Sequence, residues 1–195
     1  SMIGPMLVLV FLFSGCMAVA PESIAGEKER GTFATMLVTP VKRSHIAIGK
    51  IIALSTLSLI SGICSFLGII LSLPKLVGGT GNISATVYTA SDYIMLLGIV
   101  LSSVLVIVAL ISLISAFAKS VKEATNMIGP LMILVVLLGV STMFTSGSAG
   151  AFFWYLIPLY NSARAMSGIF SFAASPLNVI ITIASNLVVA LLLAF

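Results

Sequence analysis

Charge is what this sequence has least of. Only 7% of its 195 residues are Asp, Glu, Lys or Arg, against roughly 25% in soluble domains, so a water-solvated fold is excluded. Cysteine is nearly absent as well. Cys16 and Cys64 both fall in apolar runs, where a reduced thiol packs as a small apolar side chain, and no disulfide framework is implied. A single histidine, His45, excludes a His-based triad or zinc site assembled within the membrane and leaves that residue to interfacial packing or headgroup contact. Short alternating strands are missing, which argues against a β-barrel.

What is present is apolar length. The chain is 60% hydrophobic with a mean hydropathy of +1.28, and runs near the 20 residues a span needs lie at about 2–20, 46–73, 93–118, 127–144 and 177–195. Backbone groups in hydrocarbon must be satisfied within their own segment. The expected fold is therefore all-α, a polytopic transmembrane bundle of about five spans forming one domain over 1–195.

The basic residues decide orientation. Lys28, Arg30, Lys42 and Arg43 lie between the first and second runs, with Lys50 at the near end of the second, and Lys119 and Lys122 lie between the third and fourth, while the opposite loops hold only Lys75 and Arg164. Loops 21–45 and 119–126 are thus expected in the cytoplasm. The net charge of +4 is spent on topology and is no sign of nucleic-acid binding. Residue 1 then starts outside with no basic segment before it, and Ser1-Met2 has the look of a tag remnant. The expectation is a chain cut from a longer one with at least one further span upstream, and a second cut at Phe195. A lipoprotein box at Phe13-Ser14-Gly15-Cys16 or a cleavage site at Ala18-Val19-Ala20 would need a basic leader, which is lacking. Asn82-Ile83-Ser84 fits a glycosylation sequon only for a eukaryotic source.

Half of the charged residues gather in 21–45. Pro21 is expected to end the first helix. Gly26 and Gly31 bracket Glu27 to Arg30, where Glu27 and Arg30 have the i,i+3 spacing of an ion pair. Phe33, Met36 and Leu37 then share one helical face, and Thr39 is expected as N-cap and Pro40 as first residue of the next helix, with Ser44 as a second candidate cap. Two readings stay open: a solvated loop whose basic residues anchor helix ends at the headgroups, or a docking helix offering an apolar anchor with a polar rim.

The run Gly26-Glu27-Lys28-Glu29-Arg30-Gly31-Thr32, with Met36-Leu37-Val38-Thr39-Pro40-Val41 and Gly49-Lys50, resembles the cytoplasmic loop of type-2 ABC exporter permeases, especially their NatB-like sodium-efflux branch. Phe117 to Ala124 is similar to that family's turn between later spans, and Ile157-Pro158-Leu159-Tyr160-Asn161-Ser162 to its outer Pro-Asn segment, in the expected order across nearly the whole chain. The resemblance implies that Glu27, Lys28, Glu29, Arg30, Thr32, Phe33, Met36 and Leu37 form a coupling helix seated on a separate ABC ATPase subunit, and that an upstream span and an extracellular domain precede this stretch. Phe33-Ala34-Thr35 departs from the family's usual Leu-Glu, which removes an acidic contact. A second permease copy, as homo- or heterodimer, and the lipid bilayer of a bacterial or archaeal plasma membrane complete the implied partners.

No Gly-x-x-x-x-Gly-Lys-Ser/Thr loop occurs; Gly49-Lys50-Ile51 lacks the preceding glycine and the hydroxyl. ATP and Mg are therefore expected on the partner subunit, with no cofactor or metal on this chain. Its five acids, Glu22, Glu27, Glu29, Asp92 and Glu123, all lie at or beyond the span boundaries, which argues against an ion-coupled carrier. Ser58, Ser61, Gly62, Ser65 and Gly68 form a small-residue strip suited to helix packing or, alternatively, to a translocation surface. Pro130 is expected to kink the fourth span or sit in its first turn. Over 150–172, the aromatic cluster of Phe152 to Tyr155 and Tyr160, with Pro158 as breaker, indicates a pair of short re-entrant helices on the outer side. Pro158, Asn161 and Arg164 are candidates for an outer gate there, with snorkelling of Arg164 to the interface as the plainer role. These expectations converge on the permease subunit of an ATP-driven exporter; an ATP-independent carrier or channel and a membrane scaffold are the alternatives.

Overall fold

The computed structural model describes residues 4–32, 43–77, 89–144, 157–171 and 175–194. Every regular element among them is helical: α1 (Gly4–Glu29), α2 (Arg43–Val77), α3 (Ala90–Phe117), α4 (Val121–Phe144), α5 (Tyr160–Phe170) and α6 (Pro176–Ala194). The fold is an all-helical polytopic bundle. By length and composition α1, α3, Val121–Thr142 of α4 and Pro176–Leu193 of α6 can each cross a bilayer, and α2 carries a shorter apolar stretch, Ile52–Gly68.

α3 is the axle of the bundle. It packs against α1, α2, α4, α5 and α6, and its buried residues, among them Ile99, Val100, Val104, Val106, Ile107 and Ile111, cover the helix except for a half-buried stripe through Leu101, Leu105, Ala109 and Ser112, as expected of an element largely enclosed by others. Over half of its apolar window is buried, 56%, against 17% for α6, which sets α6 at the periphery. α1 buries Val8, Leu9, Leu12, Phe13, Cys16 and Ala20 at i,i+3/i+4 spacing while Leu7, Phe11 and Val19 stay exposed. On α2 the buried stripe is Leu54, Ser58, Gly62 and Phe66, a row of i,i+4 ridges. Exposed leucines and isoleucines such as Ile60, Leu67, Ile180 and Leu192 are the lipid-facing surface a spanning bundle requires.

The small-residue strip of α2 is in part a packing device. A Cβ on Gly62 would lie 3.1 Å from Val104 Cγ2, and one on Gly15 of α1 would lie 3.2 Å from Ser61 Oγ. Gly68, by contrast, has nothing within 4 Å and faces outward.

One proline expectation is corrected, and of the two alternatives for Pro130 the first-turn placement is excluded. Pro21 does not end the first helix; it lies inside α1, which continues to Glu29. Proline removes one backbone hydrogen bond, and the turns beyond it are held by tertiary contacts: Ala25 is buried with Ala118 and Ala124, and Gly26 packs beside Val121. Pro130 is interior to α4, well beyond its first turn, because that helix already starts at Val121. Similarly, α2 starts at Arg43, so Ser44 lies within it.

α3 and α6 run in the same direction, since Gly98 meets Ile183 and Ser102 meets Asn186. α5 has 11 residues, a rise of about 16 Å, or about half the hydrocarbon thickness. Its first turn reaches Asn186 through Ser162, near the middle of α6, and its end, Phe170, lies against Gly4 at the start of α1. It thus climbs from mid-bundle back to the end where α1 begins.

Candidate functional site

The charges collect at one end of the bundle, where α1 finishes, α2 starts and α3 turns into α4. α4 is capped locally: Glu123 N–H donates to Ser120 Oγ at 3.2 Å, and Glu123 Oε2 accepts Lys119 N–H at 2.8 Å. Ser120-Val121-Lys122-Glu123 is a capping signature. The first turn still offers Val121 N–H, and Glu29 Oε2 of α1 accepts it at 2.9 Å, setting a carboxylate at the positive end of a helix dipole. Lys28 does the converse. Its Nζ donates to Ala116 O and lies 3.4 Å from Ala118 O, so an ammonium meets the exposed carbonyls at the C-terminus of α3. Glu27 pairs with Lys50 of α2, whose Nζ also donates to Ser23 O at 3.3 Å.

Consecutive residues of α1 therefore reach three different elements. The i,i+3 pair expected between Glu27 and Arg30 is replaced: Arg30 Nη2 meets Glu22 Oε1 at 2.6 Å, with both side chains more than half exposed, a surface pair of little energetic weight. Gly31 closes α1 with φ +71°, the left-handed conformation glycine adopts without a Cβ penalty, and its N–H donates to Lys28 O at 3.2 Å. Thr32 is exposed and its hydroxyl donates to Glu27 O at 3.1 Å. Phe33, Met36 and Leu37, the expected N-cap Thr39 and the expected first helical residue Pro40 lie outside the described residues. Of the eight residues expected on the coupling helix, Glu27, Lys28 and Glu29 are thus the last turn of α1 folded onto its neighbours, and Arg30 and Thr32 are its exposed edge.

The three gate candidates sit at the start of α5. Pro158 lies in the turn before it, and Leu159 at the N-cap has φ 69°, an uncommon backbone state for a non-glycine residue. Asn161 is fully buried and Arg164 half-buried. Asn161 Oδ1 accepts the Ser162 hydroxyl at 3.1 Å. Ser162 Oγ accepts Asn186 Nδ2 at 2.8 Å, and the same Nδ2 group lies 3.2 Å from Ser102 Oγ. The result is a polar seam between α3, α5 and α6, buried at mid-bundle rather than at an outer rim. The aromatic residues 152–155 lie outside the described residues.

Two features had no place in the sequence reading. The Ser120-x-x-Glu123 spacing carried the signal for the α4 cap and was legible. Asn186, one amide in an apolar run, gave none, because its partners are 24 and 84 residues away.

Comparison with known proteins bears on this arrangement. The family model described as "ABC-2 family transporter protein" matches residues 1–195. The ABC transporter permease protein NatB of Bacillus subtilis (strain 168) is 34% identical over 169 residues, covering 83% of this chain and 42% of that relative. The match thus spans less than half the length of that relative. No solved structure matches the chain.

Proposed function

The chain belongs to the ABC-2 family of transporter proteins, and from that premise we propose that it is part of the membrane-spanning permease of an ATP-driven exporter, working with a separate ABC ATPase. It is a multi-pass integral membrane protein of the cell membrane. The observation that carries the reading is the exposed edge of α1. Arg30 and Thr32 are exposed at the end where the charges gather, and the sequence continues into the Phe33, Met36, Leu37 pattern of an apolar anchor.

In this reading 27–37 is the coupling segment, with Glu27, Lys28 and Glu29 at its base and Arg30, Thr32, Phe33, Met36 and Leu37 seated on the ATPase. ATP and Mg bind on that partner. Two copies, or two related halves, enclose the pathway; closure of the ATPases displaces the segment, and substrate leaves outward. Pro158, Asn161 and Arg164 bound a gate at the depth of the α3–α5–α6 seam. The test is a pair of substitutions, Phe33→Ala and Arg30→Glu, in the reconstituted permease–ATPase complex. Uncoupling of ATP hydrolysis from transport with folding intact is expected; unchanged transport in both removes the docking role.

A further inference from the structure

The last turn of α1 presents a problem for a simple docking surface, because three of its charged side chains are already committed within the chain. Glu27 pairs with Lys50 on α2. Lys28 reaches the terminal carbonyls of α3, and Glu29 caps Val121 N–H of α4 at 2.9 Å. The apolar side of the same turn is equally committed: Ala25 is buried with Ala118 and Ala124, and a Cβ on Gly26 would lie 3.4 Å from Val121 Cγ2. Small residues let the backbones approach closely, and the charged groups then tie the turn in three directions.

From this geometry we infer that Glu27, Lys28 and Glu29 are a three-way joint, positioning residues that carry displacement of the exposed edge of α1 into α2 and the α3–α4 turn. This rests on the docking reading above. A force applied at Arg30 or Thr32 reaches the bundle through a helix end, and a helix end slides unless something fixes it. The bonds from Lys28 and Glu29 end on the termini of other helices, where the dipole strengthens a charge-assisted contact, and the third is the ion pair of Glu27 with Lys50, two turns into α2. Pulling on α1 therefore drags the ends of α3 and α4 together with the start of α2. α6 holds no bond in the joint and meets α3 at Gly98 and Ser102, in the half of that helix away from the joint, so the α3–α4 turn moves relative to the end of α6.

Spin labels at Phe117→Cys and Leu192→Cys test this in the intact permease bound to its ATPase in nanodiscs. Both sites are exposed, 75% and 73%, and exposed Cys64 is replaced by alanine. In the otherwise native complex, nucleotide trapping shifts the distance between the labels. In Glu27→Ala or Glu29→Ala the shifted population falls about fivefold or more, the lower range of coupling between sites, while the ATPase still co-purifies. Glu29→Gln keeps an acceptor for Val121 N–H and retains most of the shift, and the exchanged pair Glu27→Lys with Lys50→Glu restores it. A role in folding alone would not separate ATPase binding from the shift in this way.

An unchanged shift in both alanine variants with the ATPase bound overturns the joint and leaves docking standing. If the alanine variants do not fold, the exchanged pair decides: folded, ATPase-bound and without the shift, it overturns the joint. A native permease that binds no ATPase overturns the docking reading and the joint with it.

Discussion

Replacing Asn186 by leucine should cost little stability, despite breaking the seam between three helices. Asn186 is fully buried, its Nδ2 shared between Ser162 Oγ at 2.8 Å and Ser102 Oγ at 3.2 Å. Hydrogen bonds between helices in a membrane average about 0.6 kcal/mol each, so losing both costs about 1 kcal/mol. Its Oδ1 meets no hydrogen-bond donor among the described residues, and a buried acceptor left unmade costs about 1–3 kcal/mol. Leucine has nearly the same shape and removes that penalty, so Asn186→Leu should lie between neutral and about 2 kcal/mol stabilising. Ser162→Ala removes the bond from Asn186 and the bond to Asn161 while keeping the unmade acceptor, and should destabilise by about 1 kcal/mol. Unfolding in mixed detergent micelles with the double variant closes the cycle, which should show a coupling of about 0.6 kcal/mol. Destabilisation of Asn186→Leu by more than about 2 kcal/mol would refute the reasoning, because Oδ1 would then have a donor worth more than the penalty assigned to it.

Gly139→Ala brings a Cβ to 3.0 and 3.2 Å from Met6 Cγ and Cβ and to 3.4 Å from its Cα; overpacking of about 1–3 kcal/mol should appear as a lowered melting midpoint. Gly68→Ala, in a helix interior with nothing within 4 Å, should instead be neutral or up to about 1 kcal/mol stabilising in the same assay. Ser120→Ala removes the α4 cap and should cost about 1 kcal/mol, with faster amide exchange in the first turn of α4; unchanged exchange would show that Glu29 alone suffices.

How far the sequence speaks for the structure depends on the range of the interaction. Apolar run length alone identified a helical bundle, since hydrocarbon leaves the backbone few other choices, and the location of the basic residues marked the end where the charges gather. Pro21 misled because a local rule, one lost backbone bond, was outweighed by contacts from Ala118, Val121 and Ala124, nearly a hundred residues away. The pairing of Glu27 erred for the same reason: i,i+3 spacing nominated Arg30, while the fold supplied Lys50. Asn161 was marked by its Pro-Asn setting, but its depth beside Ser102 and Asn186 follows from how α5 enters the bundle, which no periodicity encodes.

The central claim is that the end of α1 is held by a cytoplasmic ATPase, and site-specific photocrosslinking at Arg30 in native membranes tests it most directly. The account predicts one dominant adduct, with an ATP-hydrolysing subunit, that requires the inner face of the membrane. Labelling of the same position from outside intact cells, or adducts to lipid alone, would contradict it.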